Sequence, residues 1–262
     1  MPLKKLMMSG SLGLLLSVPF TLPCHAAAPA AVPGSNKGRH EEKVAAVKKE
    51  KFELLVIGDS IIHTLQGFGG KYAPLDEVWA KHFAPRRALN LGYSSYRVEN
   101  ILWNLQNGEL EGQTPKVAIL LIGTNNADSQ NFAAGMSTPE QISAGTQAIV
   151  ETIQQKSPDT KILILRIFPK GGKDETGTSE PVFHFSLEEI ETARQAGALT
   201  EKLADNKRVF WLDINDIFLR PKSKINTRLM PDLLHPNEKG AEAWVKAIEP
   251  TLSRLMGDKP IK

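Results

Sequence analysis

Five short apolar runs punctuate the chain, at residues 52–57, 88–91, 116–122, 161–168 and 208–214. Each reads as a buried strand, and the first three close on Gly58, Gly92 and Gly123. Segments with helical spacing lie between them. Leu75, Val78, Trp79, His82 and Phe83 form one stripe, and Val98, Ile101, Leu102 and Leu105 another. Ser137-Thr138-Pro139-Glu140 starts a helix that runs to about residue 156, where Ser157-Pro158 stops it. Residues 186–204 read as a helix, and Asn237 caps a last one over 238–256. Strands that are apolar throughout and alternate with helices imply an α/β fold, a parallel sheet covered on both faces. In such sheets the ligand site lies beyond the carboxyl ends of the strands.

The ends of the chain read differently. Lys4 and Lys5 precede an apolar stretch over 6–20, and Cys24-His25-Ala26-Ala27 follows, the layout of a secretory signal peptide cleaved after Ala26. The apolar stretch is shorter than a spanning helix needs, so no stable membrane insertion is expected after processing. Lipidation of Cys24 is the alternative, and Pro23 directly before it disfavours that processing. Residues 27–51 hold few core-forming side chains and read as a flexible linker, in which 41–51 could form a solvated helix that cannot fold alone. The expected organisation is a signal peptide over 1–26, the linker over 27–51, a domain over 52–256 and a tail over 257–262. The product is secreted or periplasmic.

Charge and cysteine content remove several function classes. Taking the +2 of Lys4 and Lys5 and the +3 of the linker from the chain's +3 leaves the rest at −2. No nucleic-acid partner is therefore expected. Cys24 is the single cysteine and falls in the signal segment, so the mature chain has no thiol nucleophile, disulfide or Cys-rich zinc site. The histidines lack metal-ligand spacing, and neither a metal nor a cofactor is expected.

The residues after the strands carry chemistry. Gly58-Asp59-Ser60 follows the first strand, Gly92-Tyr93-Ser94-Ser95 the second, and Gly123-Thr124-Asn125-Asn126 the third; Asp232-Leu233-Leu234-His235 lies near the carboxyl end. A serine hydroxyl needs a neighbouring base to become a nucleophile. His235 can be that base for Ser60, with Asp232 fixing its tautomer. The oxyanion needs donors, which the N–H of Ser60, the Asn125 carboxamide and a backbone N–H in the Gly92–Ser95 turn can supply. Taken singly, each segment is an ordinary turn or helix cap. Their joint occurrence, one to a strand end, is the signal. His63 competes as a base by sequence distance, but its position on the same turn suits a surface or pocket-rim residue. Gly67-Phe68-Gly69-Gly70-Lys71-Tyr72 lacks the spacing of a phosphate loop and reads as a lid or plain turn. The loop over 64–76 and the segment over 170–185 both follow sheet ends, so both can wall the site.

These blocks resemble those of the SGNH (GDSL-type) hydrolases. The stretch Leu89-Asn90-Leu91-Gly92, with Ile101-Leu102-Trp103-Asn104-Leu105-Gln106-Asn107-Gly108-Glu109-Leu110, looks closer still to the platelet-activating-factor acetylhydrolase catalytic subunits and their bacterial relatives. The resemblance implies a flavodoxin-like three-layer α/β/α sandwich with a five-stranded parallel sheet, and serine ester hydrolysis without a metal. It implies Ser60 as nucleophile, His235 as base, Asp232 as its partner and Asn125 as side-chain oxyanion donor. Such proteins commonly carry Gly-x-x-Gly-Asp after the second strand, where this chain has Gly92-Tyr93-Ser94-Ser95-Tyr96. The role belongs to a backbone N–H, so Ser95 fills it if its dihedrals are open to a residue with a side chain. The expected activity is that of a secreted esterase removing a short acyl group, acetyl foremost, from an acylated carbohydrate or a short-chain phospholipid. The alternative is a catalytically impaired carbohydrate-binding or scaffold protein on the same fold.

Overall fold

The computed structural model describes residues 26–172 and 183–261, so the expected signal segment lies outside the described residues except for Ala26. The elements run α1 (Lys37–Lys49), β1 (Leu54–Gly58), α2 (Ser60–His63), α3 (Leu75–His82), β2 (Ala88–Gly92), α4 (Val98–Asn104) and β3 (Val117–Leu121). Then follow α5 (Pro139–Lys156), β4 (Lys161–Leu165), α6 (Leu187–Leu199), β5 (Val209–Leu212), the small hairpin β6 (Leu219–Arg220) with β7 (Lys224–Ile225), and α7 (Glu238–Met256). The five expected strands form one parallel sheet in the order β2-β1-β3-β4-β5. Gly58 at the end of β1 stands opposite both Gly92 of β2 and Leu121 of β3. The three turns that follow these strands therefore leave the sheet along one line.

Alternation along each strand divides the interior into two cores. Leu54 and Val56 of β1, with Val117, Ile119 and Leu121 of β3, face α3 and α7 and pack on Trp79, Phe83, Trp244 and Ile248. Leu55 and Ile57, with Ala118 and Leu120, face α4, α5 and α6 and pack on Ile101, Ile149, Ile153 and Ala196. Side chains two apart share a face of a strand, which is why a fully apolar run serves both layers. The helix starts follow their caps. Thr138 and Gln141 close a capping box at α5, Ser186 and Glu189 close another at α6, and the Asn237 side chain takes the Gly240 N–H at α7.

The expectation of a flexible linker over 27–51 is overturned. Residues 37–49 form α1, and Val47 is buried against the second core. The Val32 N–H donates to the Glu99 carbonyl at 3.2 Å, and His40 Nδ1 pairs with Glu109 at 2.9 Å. The guanidinium of Arg39 reaches the carbonyls of Gly92 and Asn90 at 2.9 and 3.3 Å. The physical reason is that polar side chains bonded to backbone carbonyls anchor this segment, and an apolar pattern does not reveal that. The other end is docked as well: Arg86 binds Asp258 and Glu249, and the Ile261 N–H donates to Glu249.

Gly92 is required by close approach. A β-carbon there would lie 2.3 Å from the His63 nitrogen and 2.6 Å from the Ile62 carbonyl carbon. Those are backbone atoms, which cannot swing aside as a side chain can. Gly92→Ala should cost about 2 kcal/mol by overpacking, read as a lower urea midpoint; an unchanged midpoint would contradict the packing.

Candidate active site

Ser60 is the first residue of α2, so its N–H has no partner within the helix. The Asp59 side chain caps this helix by accepting the Ile61 N–H at 3.0 Å. The hydroxyl of Ser60 lies 2.9 Å from His235 Nε2, and His235 Nδ1 lies 3.0 Å from Asp232 Oδ2. The other oxygen of Asp232 accepts the backbone N–H of Leu234 at 3.1 Å and of His235 at 2.7 Å. Leu233 between them holds a φ of +66°, which folds the Asp-x-x-His segment tightly enough for the two side chains to meet. The spacing alone did not guarantee that contact. Burial opposes the charge on Asp232, but the bonds from His235 and Leu234 hold its carboxyl at about 2. It is therefore an anion beside the imidazole at neutral pH.

Lys71 and Tyr72 also reach Asp232. Both the ammonium and the phenol lie 3.3 Å from Oδ2, and the Tyr72 ring meets His235 edge-on. Apart from a glycine-rich turn, no sequence cue pointed to this pair.

The oxyanion side is built from the turns after β2 and β3. Ser94 donates its N–H to His63 Nδ1 at 3.1 Å, and Tyr96 donates to the Tyr93 carbonyl at 3.2 Å. Ser95 between them has a φ of +64°, is exposed, and makes no backbone hydrogen bond among the described residues. A residue with a β-carbon is in its left-handed conformation here, at a cost of about 1–2 kcal/mol. Asn125 donates from Nδ2 to the Tyr96 carbonyl at 2.8 Å, which fixes the amide plane and leaves the second Nδ2 hydrogen for the cavity. Behind it, the buried ammonium of Lys170 donates to the carbonyls of Thr124 and Ala127 at 3.3 and 2.8 Å. Burial pushes that lysine down to about 8.

Ser60, Ser95, Asn125 and His235 all line one cavity of about 280 Å³. Phe68 and Tyr72 from the loop after α2 wall it, as do Phe132, Phe183 and Phe185. Phe68 and Phe183 stand at its mouth, 43% and 40% exposed. The second expected wall is described only in part, because 173–182 lie outside the described residues. His63 points to Ser94 rather than Ser60, and burial, with Arg39 and Lys43 nearby, lowers it to about 4. It is neutral at ordinary pH and accepts a hydrogen bond through Nδ1.

Sequence reasoning missed Asn90, whose buried amide donates to the Ile62 carbonyl and accepts from the Gly92 N–H. An asparagine inside an apolar strand was the available cue. It also gave Asp59 no role. Burial raises that carboxyl to about 6 from 3.8. Below pH 3.8 it is protonated in both folded and unfolded chains and costs nothing. Between there and about 6 the unfolded chain ionises first, so stability falls as pH rises. Asp59→Asn, which keeps the cap, should stabilise the protein by about 3 kcal/mol at pH 8 and by little at pH 3.5. Urea unfolding at both values checks this; equal gains at both would refute it.

The chain is similar to several known proteins. A family model described as GDSL-like Lipase/Acylhydrolase matches residues 56–243. Platelet-activating factor acetylhydrolase IB subunit alpha2 of Rattus norvegicus is 28% identical over 222 residues, 85% of each chain. A GDSL-like lipase from Bacteroides thetaiotaomicron superposes with a TM-score of 0.62 at 14% identity, over 84% of this chain and 98% of its own. An acetylxylan esterase from Geobacillus stearothermophilus does so with a TM-score of 0.55 at 18% identity, over 81% and 96%.

Proposed function

The chain belongs to the GDSL-like lipase/acylhydrolase family and is a serine ester hydrolase, and from that premise we propose that it is exported and removes a short acyl group, acetyl foremost, from an oxygen ester. The observation that carries the reading is the unbroken relay from Ser60 Oγ through His235 to Asp232, with bonds of 2.9 and 3.0 Å. It also weighs against an impaired binding protein, which has no use for an aligned base.

In this reading His235 Nε2 takes the hydroxyl proton as Ser60 attacks the ester carbonyl. Asp232, acceptor-only, holds the opposite nitrogen as the donor and stabilises the imidazolium. The carbonyl oxygen, now an anion, meets the N–H groups of Ser60 and Ser95 and the free Nδ2 hydrogen of Asn125. His235 returns the proton to the leaving alcohol, then activates water to cleave the acyl-enzyme.

A cavity of about 280 Å³ with aromatic walls suits a small acyl group. The acetylxylan esterase similarity supports an acetylated carbohydrate as the acceptor, and the acetylhydrolase similarity supports a short-chain phospholipid. The test is hydrolysis of p-nitrophenyl acetate and hexanoate, followed by acetylated sugars against short-chain phospholipids. Acetate is expected to be preferred, and a preference for hexanoate would overturn the acyl assignment. Export is supported by the basic, apolar and small-residue order of the first 27 positions. Mass spectrometry of the exported protein should find Ala27 at its start; a retained Met1 would overturn it.

A further inference from the structure

We propose that α1 buttresses the oxyanion turn, with Arg39 as the positioning residue that lets Ser95 hold its conformation. The proposal rests on the reading of the Ser95 N–H as an oxyanion donor. A serine at a φ of +64° does not keep that backbone unaided; the surroundings must over-determine it. Here they do so from both ends of the turn.

Arg39 grips the entry. Its Nε donates to the Gly92 carbonyl at 2.9 Å, and its Nη2 donates to the Asn90 carbonyl at 3.3 Å and to Asn90 Oδ1 at 3.2 Å. The same Asn90 oxygen accepts the Gly92 N–H at 2.9 Å, so the guanidinium and the strand end form one network. Residues ahead of α1 grip the exit. The Asn36 N–H donates to the Tyr96 hydroxyl at 2.9 Å, and Gly34 lies so close to that ring that a β-carbon would sit 2.1 Å from it. Tyr96 in turn offers its carbonyl to Asn125. The segment before the sheet thus holds the turn that carries the Ser95 N–H at its two ends, through Gly92 and Tyr96, and the side-chain donor at Asn125 through Tyr96. Neither Arg39 nor Asn36 lines the cavity that holds Ser60. Their part is to position, and a glycine at 95 would have no need of them.

That last point supplies the test. Arg39→Met should lower kcat on p-nitrophenyl acetate about tenfold with KM within about twofold, because the turn relaxes while the cavity wall stays. Ser95→Gly in the same chain should restore kcat to within about threefold of Ser95→Gly alone, since glycine takes positive φ without support. A helix that only stabilises the fold predicts otherwise: a lower Tm with normal kcat, or a double variant as slow as Arg39→Met. Either result overturns the proposal. If Arg39→Met does not fold, Tyr96→Phe takes its place, removing only the hydroxyl that accepts from Asn36; it should show a smaller loss with the same rescue, and no rescue overturns the proposal. Labelling by a fluorophosphonate separates the two readings. An unlabelled Ser60 in the wild type refutes the catalytic reading itself. Labelling of the wild type and of the Arg39 or Tyr96 variant at equal rates refutes the buttress and leaves that reading standing.

Discussion

Ser60→Ala should reduce hydrolysis of p-nitrophenyl acetate by about 10⁴-fold or more, while the protein keeps its fold and Tm. The hydroxyl is the only reacting group that the substitution removes, since the Ser60 N–H stays in place, and its 2.9 Å contact with His235 Nε2 is the route its proton takes. The methyl group of alanine fits where the Ser60 β-carbon already sits, so no packing is lost. What remains is oxyanion stabilisation of direct water attack, which gives a small residual rate over solution. A variant with more than about one tenth of wild-type kcat would assign the nucleophile elsewhere.

Asn125→Ala should cost about 10²–10³ in kcat, or about 3–4 kcal/mol of transition-state stabilisation, with a small change in KM. The amide plane is held by its bond to the Tyr96 carbonyl, so the second Nδ2 hydrogen is oriented before substrate arrives. A donor that needs no reorganisation is worth most when charge develops on the oxygen. Asn125→Asp is the sharper companion: it keeps the size, removes both donors and places an anion beside a developing anion. It should be slower than the alanine variant. An aspartate variant faster than alanine would show that Asn125 fills space rather than donating.

The sequence revealed the parts of this molecule that are governed by apolar periodicity. Three of the five sheet strands fall within their expected runs and the first two reach one residue further, to Gly58 and Gly92, because strands covered on both faces are built almost wholly of apolar residues. α7 matched its expected span, since the Asn237 cap and the Gly257 left-handed exit leave little freedom at either end. Ser60, Ser95 and Asn125 stood out in the sequence because they follow strand ends, where chemistry-bearing side chains contrast with the apolar runs before them; Asp232 and His235 stood out by their spacing ahead of α7. α1 was not legible. Its attachment comes from Arg39, His40 and Asn36 binding groups that lie 50 to 70 positions away, and charged side chains in a polar segment look alike whether solvated or bonded. The helix after β2 also ended differently than its stripe suggested: α4 stops at Asn104, and a wider turn over Leu105–Glu109 follows, with Gly108 at a φ of +119°. Lys71 and Tyr72 were hidden for the same reason as α1, since their partner Asp232 is about 160 positions away.

The two cores described above also divide the enzyme's labour. Ile61 and Ile62, next to Ser60, and Leu233, within the Asp-x-x-His segment, belong to the core under α3 and α7. Tyr93, Tyr96, Val98 and Ala127, which carry the oxyanion turns, belong to the core under α4, α5 and α6. The proton relay and the Ser95 and Asn125 oxyanion donors thus rest on opposite sides of one sheet, joined through β1, with the Ser60 N–H on the relay side. Drift in the packing of one layer therefore changes one half of the reaction while sparing the other. A lineage could retune leaving-group protonation and electrophile binding as separate traits.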